Sequence, residues 1–520
     1  MVKCKKSMRE LRRVHRALPQ KGRRDPMTIK IDKDAKVPVY LQIAEQIKAQ
    51  IISGALPRAS TLPSERALAQ LLDVHRNTVV KAYSELKSDA WIESRQGVGY
   101  VVTAASVDKT AAEEESGENA QGGRVNWVSE VADKYLDMEK TFDDLFQRFT
   151  DESHYSLGSG VASREVFSSE RVAQDIAALV TGSGPCQYFF SPYKGDKFLR
   201  QKLVAFLSTK GVKASSGEIQ VLSETNQALD FIVTLLVKPG DSVVMEEPVH
   251  PDMYRVMELA GAKILSVPVD ADGMNCEVLE KLLTHIKPRL IFVNSSYHDP
   301  TGHILSLERR KKLVELSNRY RIPIVEEDAA SELAYDGEKP PPIKAFDTMG
   351  NVIYIYSFSL TFVPGLSLAF VTGNRDFIRA LSYLVSVRLM ASDWMTQKLL
   401  GMYLDDGIYY TSLAKFREIY RANRDLVCRK LDELAPLGVR YIKPKGGVYV
   451  WCALPDGVDS KQFIRRAYNM GVTLIPGHVF YPGKNGGRDH IRINYSYESE
   501  ERLAQGMEVL QKALKEELEE

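Results

Sequence analysis

The sequence predicts an α/β body, with a mostly parallel sheet and helices on both faces, preceded by a small helical head that closes in a β-hairpin. Three observations predict it. From about residue 150 to 520, helical stretches alternate with short apolar runs, and strands interleaved with helices make βαβ units around a buried sheet. Residues 36–103 hold short helical runs across a tight turn and a Gly-punctuated β-like end. Between the two lies 104–124, AASVDKTAAEEESGENAQGGR, too polar and acidic to bury a core.

The first 26 residues carry ten Lys or Arg against Glu10 and Asp25, and they lack the apolar centre of a secretory signal. Residues 1–35 read as a basic arm able to touch DNA phosphates, or in part as a stretch upstream of a start at Met27. The next segment, PVYLQIAEQIKAQIISG, opens at Pro38 and ends at Gly54. It puts Leu41, Ile43, Ile47, Ile51 and Ile52 on one side of a helix, with Gly54 in the C-cap role. Ser64 is a good N-cap for a helix over 65–72. Asp73 and Val74 form a tight turn, and a second helix runs from His75 to about Lys87. Two short helices across such a turn are a helix-turn-helix, whose second helix enters the DNA major groove. Trp91 to Val102 reads as two strands around a Gly turn, a wing.

Polar side chains collect where that module meets DNA. Ser64, Arg66, Arg76, Asn77, Thr78 and Lys81 lie on or beside the two helices, and Arg95 lies on the wing. Arg and Asn read guanine and adenine edges, whereas Lys, Ser and Thr hold phosphates. A solvated basic face on a small helical domain is the alternative. Residues 104–149 read as a flexible acidic linker followed by a docking helix over 125–149, where apolar residues recur at helical spacing. As a coil, the linker spans roughly 25 Å.

In the body, 150–520, helices are expected over 196–210 and 225–237. Strands are expected at Ser242–Met245, Leu290–Asn294, Ile322–Glu326 and Val352–Tyr356. Hydrophobic residues make up 44% of the 520, enough for a sizeable core. No apolar run reaches the roughly 18 residues a membrane span needs. The five cysteines, Cys4, Cys186, Cys276, Cys428 and Cys452, are far apart. They suggest neither a disulfide framework nor a metal site, and the expected setting is a reducing cytoplasm.

Residues 38–103 resemble the winged-helix domain of the GntR superfamily, through L-P-S-E-R (62–66), R-N-T-V-V-K-A-Y (76–83) and S-R-Q-G-V-G-Y (94–100). The body resembles fold-type I aminotransferases over nearly all of 150–515. Its landmarks, in order, are Tyr193-Lys194-Gly195-Asp196, Asn226-Gln227-Ala228-Leu229, Pro239-Gly240-Asp241, Glu247-Pro248, Pro300-Thr301-Gly302, Ser357-Phe358-Ser359, Pro364-Gly365-Leu366, Gly446-Gly447, Pro476-Gly477 and Arg492. Head and body together resemble the MocR subfamily. That resemblance implies a homodimer that binds double-stranded DNA and whose body senses a small amino compound, usually through pyridoxal phosphate.

The departures bear on the chemistry. Where the family has S-F-S-K, this chain has Ser357-Phe358-Ser359-Leu360, and Leu360 has no amine to form an imine with the cofactor aldehyde. Ser367 stands where the family's Arg clamps the phosphate, and Glu224 where a phosphate-loop Gly is expected. Glu327 falls on the acid that pairs with the pyridine nitrogen, Ala329 on the phenol, His250 on the ring-stacking aromatic and Asp299 on a common Asn. No catalytic residue is therefore expected, and no covalent pyridoxal phosphate. Ser223, Ser357 and Ser359 could still hold the cofactor weakly and non-covalently, or be ordinary loop residues. Arg492 falls on the substrate-carboxylate clamp. It either binds a carboxylate or amino-acid effector or makes a structural ion pair, and the effector is the favoured expectation.

The leading reading is a DNA-binding regulator with a non-catalytic sensor body and no membrane partner. The alternatives are a working aminotransferase with a DNA-binding head, and a regulator whose body only dimerises.

Overall fold

The chain divides into two compact units, Met1–Glu130 and Val131–Glu520. The computed structural model describes residues 38–52, 60–88, 91–95 and 99–103 of the first, with 29, 31 and 56 singly. Of the second it describes 153–519 except 164, 183–191, 338, 390–392 and 484–485. The expected basic arm (apart from 29 and 31), the linker, the docking helix of 125–149 and the Gly54 cap lie outside the described residues.

In the head, α1 (Val39–Ile52), α2 (Glu65–Leu71) and α3 (Arg76–Ser88) precede an antiparallel pair, β1 (Ile92–Arg95) and β2 (Gly99–Val102). Helix α1 buries Ile43, Ala44, Ile47 and Ile51, the i, i+4, i+8 stripe of an amphipathic helix. Helix α3 buries Val79, Ala82, Tyr83 and Leu86, the same periodicity. The Ser64 hydroxyl accepts the Ala67 N–H at 3.2 Å and so caps α2. Asp73 takes φ 50° in the turn, a left-handed conformation that Asp tolerates better than most residues. Helix α3 starts at Arg76, one residue after the expected His75, because the His75 ring nitrogen accepts the Asn77 N–H from outside the helix.

The body is built on an eight-stranded sheet. Its strands are β3 (Ile219–Leu222), β4 (Ser242–Glu247), β5 (Lys263–Asp270), β6 (Gly273–Met274), β7 (Ile291–Asn294), β8 (Ile324–Asp328), β9 (Val352–Ser357) and β10 (Ala369–Thr372), in the order β3-β10-β9-β8-β7-β4-β5-β6. The central pairs β9·β8, β8·β7, β7·β4 and β4·β5 are parallel, and the pairs at both edges are antiparallel. Separate apolar clusters pack around it. One contains Leu229, Ile232, Phe292 and Val371, and another contains Val244, Leu279, Ile291 and Leu313. A second sheet holds β11 (Arg440–Tyr441), β12 (Tyr449–Ala453), β13 (Ile475–Pro476) and β14 (His490–Asn494), in the order β11-β12-β14-β13.

One strand expectation is corrected. The run expected at Ile322–Glu326 is the strand Ile324–Asp328. Pro323 has no N–H to give a ladder, and its carbonyl instead takes the Ile291 N–H at 3.0 Å. At the other end the strand continues through three consecutive acids, Glu326, Glu327 and Asp328, all buried. No helix of the described residues is long and apolar enough to cross a membrane. Cys276, Cys428 and Cys452 are free and buried.

Candidate functional site

On the head, Ser64, Arg66, Arg76, Asn77 and Lys81 are exposed and Thr78 is half-buried. The side chain of Arg95 lies outside the described residues. Arg76 is not loose. Its Nη2 and Nε lie 2.7 and 3.1 Å from Glu65 Oε2, while Tyr100 donates its hydroxyl to Glu65 Oε1 at 3.0 Å. The Arg76 guanidinium, helped by Tyr100, holds the Glu65 carboxyl below its ordinary range. Glu65 thus ties the first residue of α3 to α2 and to the wing strand. The motif L-P-S-E-R contains this residue, but no base or phosphate contact is expected of an acid, so reading for DNA contacts passes over it.

The body carries a cavity of about 250 Å³ lined by Glu224, Thr225, Asn226, His250, Asn294, Asp299, Glu327, Ser359, Leu360 and Tyr449, with Phe292, Met253, Ala329 and Ala330 among its apolar walls. It opens at the carboxyl ends of β7, β8 and β9, the end at which parallel α/β sheets bind ligands. The fold brings each wall there for a local reason. Glu224 is the residue before α4 (Thr225–Leu236), and His250 is the residue before α5 (Pro251–Leu259). Asn294 ends β7, and Glu327 sits in β8 between two residues that face away from it. Ser359 and Leu360 lie in the turn after β9. Gly160 also lines the cavity, and a Cβ there would fall 2.0 Å from the Tyr449 hydroxyl, so a side chain has no room. Gly446 and Gly447 make room for the Tyr297 ring, with a Cβ at Gly446 only 2.4 Å from ring carbons.

Glu224, His250, Asp299, Glu327, Ser359 and Leu360 are therefore brought together. Ser223, Ser357, Ser367 and Arg492 do not line the cavity. Ser223 is exposed, and its N–H goes to the Gln227 side chain. Buried Ser357 donates to Ser359 Oγ at 3.0 Å. The Ser367 hydroxyl hydrogen-bonds the Glu224 carboxyl; partial burial raises that carboxyl's pKa and Ser367 opposes the rise. A serine–glutamate pair thus occupies what the resemblance assigned to a phosphate cup.

Arg492, only 2% exposed, places Nη1 2.7 Å from both oxygens of Asp299 and Nη2 3.0 Å from the Gly158 carbonyl. Its guanidinium carbon lies 4.2 Å from the Tyr449 ring centroid. Of the two roles open to Arg492, the geometry shows the internal ion pair, and its partner is the residue that replaces the common Asn. Glu327 is 6% exposed and accepts a hydrogen bond from the Asn294 side-chain amide. Burial, then the nearby Asp328 and Asp299 carboxylates, push it up to about 8. It therefore holds its proton near neutrality. Asn294 and Tyr449 were not singled out in the sequence; Asn294 looks like an ordinary strand end and Tyr449 like a core aromatic.

Pyridoxal phosphate is the cofactor this fold family normally binds, and the lining does not fit its covalent attachment. Leu360 is 5% exposed and packs in the main apolar cluster. Among the described residues no Lys or Arg lines the cavity. Lys210 is buried but does not line the cavity, and its ammonium is held 2.6 Å from both the Ser331 hydroxyl and a Glu332 oxygen.

The doubly covered parallel sheet, the crevice at its carboxyl ends and the separate winged helix-turn-helix define a two-part chain of aminotransferase fold with a DNA-binding head. Comparison with known proteins agrees. Residues 156–510 match the model for aminotransferase class I and II, and residues 39–102 match that for bacterial regulatory proteins of the gntR family. The chain belongs to the aminotransferase class I and II family and carries it in the MocR-type arrangement, behind a GntR-family head. It is 29% identical to the uncharacterized HTH-type transcriptional regulator YdfD of Bacillus subtilis, over 92% of this chain and 97% of that one. It is 28% identical to the probable rhizopine catabolism regulatory protein MocR of Rhizobium meliloti, over 77% and 79%. The crystal structure of a multiple substrate aminotransferase from Thermococcus profundus superposes with a TM-score of 0.71 at 28% identity, covering 76% of this chain and all of that one.

Proposed function

We propose that this transcriptional regulator senses a small molecule in its aminotransferase-like body and carries out no transamination. The observation that carries the reading is Leu360: it occupies the cavity wall after β9, where an amine would be needed, and no Lys lines the cavity among the described residues. An imine with pyridoxal phosphate needs that amine. A cavity of about 250 Å³ with an apolar wall and several polar groups favours a sensor over a body that only dimerises. The hydroxyls of Ser357 and Ser359 bond each other, and the Ser223 N–H is taken by Gln227, which argues against phosphate binding there.

On the head, Ser64, Arg66, Asn77, Thr78, Lys81 and Arg95 are assigned to DNA, with Arg76 as the base reader oriented by Glu65. Two heads in a homodimer would read two half-sites. The test of the sensor reading is borohydride reduction in the presence of pyridoxal phosphate, read by mass spectrometry. The expected result is no adduct at a single lysine; a stoichiometric adduct at one site would restore the enzyme reading. Retardation of operator DNA by the same preparation tests the regulator reading independently.

A further inference from the structure

We propose that the cavity takes a small organic cation, a protonated amine on a short carbon skeleton, rather than a phosphate or a carboxylate. The inference rests on the sensor reading above and names the class of molecule sensed.

The charged walls point to it first. Glu224 stands at the mouth and Asp299 inside, with the Glu327 carboxyl able to join them by losing its proton, whereas no Lys or Arg of the described residues lines the space. Among the described residues the guanidinium of Arg492 stands behind Asp299, with both Nη atoms held by the Asp299 oxygens and the Gly158 carbonyl and its Nε left unpartnered. An entering carboxylate would have to displace Asp299. An entering phosphate would meet Glu224 where its counter-charge is needed.

The hydrogen-bonding state of the walls points the same way. Glu327 is more than nine-tenths buried. One of its oxygens accepts the Asn294 amide, and no described residue donates to the other. The Asn294 carbonyl oxygen is also buried without a partner. The Asn294 carbonyl therefore lacks a donor, and the second Glu327 oxygen becomes a further unmet acceptor once its proton has gone. An ammonium offers three donors and no acceptor, and a donor carrying positive charge makes the stronger kind of hydrogen bond to a carboxylate. Carboxylates and phosphates bring acceptors and leave both wall groups unsatisfied. Phe292, Met253, Leu360 and Tyr449 supply an apolar wall for the carbon skeleton.

Binding would also move a proton. Asn294 from β7 hydrogen-bonds Glu327, and the charges of Asp299, of Glu246 from β4, and of Glu326 and Asp328 from the opposite face of its own strand act on it, with Tyr449 from β12 also near. The Arg492 guanidinium and the His250 ring are directed at Asp299 instead. Glu327 thus keeps its proton in the free protein, and a bound ammonium favours its release to solvent.

The experiment uses the full chain at about pH 8 and four probes at matched ionic strength: n-butylamine, 1,4-diaminobutane, n-butyrate and inorganic phosphate. Thermal unfolding and titration calorimetry are the readouts. The expected result is stabilisation by the two amines and not by the two anions. Calorimetry in buffers of different ionisation enthalpy should show protons released on amine binding. Glu327→Gln and Glu224→Gln should each weaken amine binding about tenfold, the loss expected for one charge-assisted contact. Unfolding of each ligand-free variant shows beforehand that it folds. Stabilisation by butyrate or phosphate in place of the amines overturns the cation while the sensor reading stands. Amine binding unaltered in both variants also overturns it. Silence of all four probes overturns the cation and the sensor together.

Discussion

A single nitrogen of the Arg492 guanidinium lies 2.7 Å from each carboxylate oxygen of Asp299. The arginine at the position that the resemblance assigns to a ligand's carboxylate binds one of the chain's own. Asp299→Ala should leave the buried guanidinium uncompensated and destabilise the body by about 3–5 kcal/mol. Butyrate should then raise the unfolding temperature of the variant, by binding only its folded form, while leaving the parent unchanged. Equal stabilisation of parent and variant would show that Asp299 does not close the clamp.

On the head, Arg76→Ala should cost about 1–3 kcal/mol at a specific site. Glu65→Ala should leave binding to random duplex unchanged and narrow the gap between specific and random DNA, because Arg76 loses the support that aims it. Fluorescence anisotropy on both duplexes at one salt concentration measures this. A uniform loss on both sequences would instead assign Arg76 to phosphate.

Glu327 and Glu246 both have folded pKa values near 8, raised first by burial from an ordinary 4.5. Between those limits the folded state holds protons that the unfolded chain has released, so stability falls as pH rises from about 4.5 to 8 and then levels. Glu327→Gln removes one such group. Its stability relative to the parent should therefore be greater at about pH 8 than at about pH 5, as read by urea unfolding. A gap independent of pH would place the Glu327 proton elsewhere.

Leu360→Lys alone should recover little covalent pyridoxal phosphate, since Glu224 with its Ser367 partner still stands where the phosphate would bind. Adding Ser367→Arg and Glu224→Gly should raise occupancy well beyond the single change, by absorbance of the imine and by reductive trapping. Full occupancy in the single variant would mean that the cup had kept its affinity.

Much of this architecture was legible in the chain. Helix α3 announces itself through Val79, Val80, Ala82, Tyr83 and Leu86, and the parallel sheet through apolar runs spaced by helices. Leu360, Glu224, His250, Asp299, Glu327 and Ser359, placed in one pocket by the landmarks around them, do line one cavity, whereas Ser223, Ser357, Ser367 and Arg492 do not. The end of β8 was not legible, because three acids in a row look like a loop until their partners are known. Glu326 accepts the Ser295 hydroxyl and two backbone N–H groups, and Asp328 accepts the Tyr354 hydroxyl and the Ser331 N–H. The Arg492–Asp299 pair joins residues 193 apart, and no local pattern reports such a meeting. Glu65 was hidden because its role is to hold an arginine rather than to touch DNA.

Those three acids have a consequence for how such a chain tolerates substitution. Glu326 and Asp328 point to one side of β8 and anchor loops and hydroxyls that the fold requires, whereas Glu327 points to the other and binds only Asn294. Alternation along a strand thus separates, within one tripeptide, the acids that hold the fold from the one that faces the cavity. A substitution at Glu327 can therefore alter the cavity's chemistry while the bonds made by Glu326 and Asp328 stay in place.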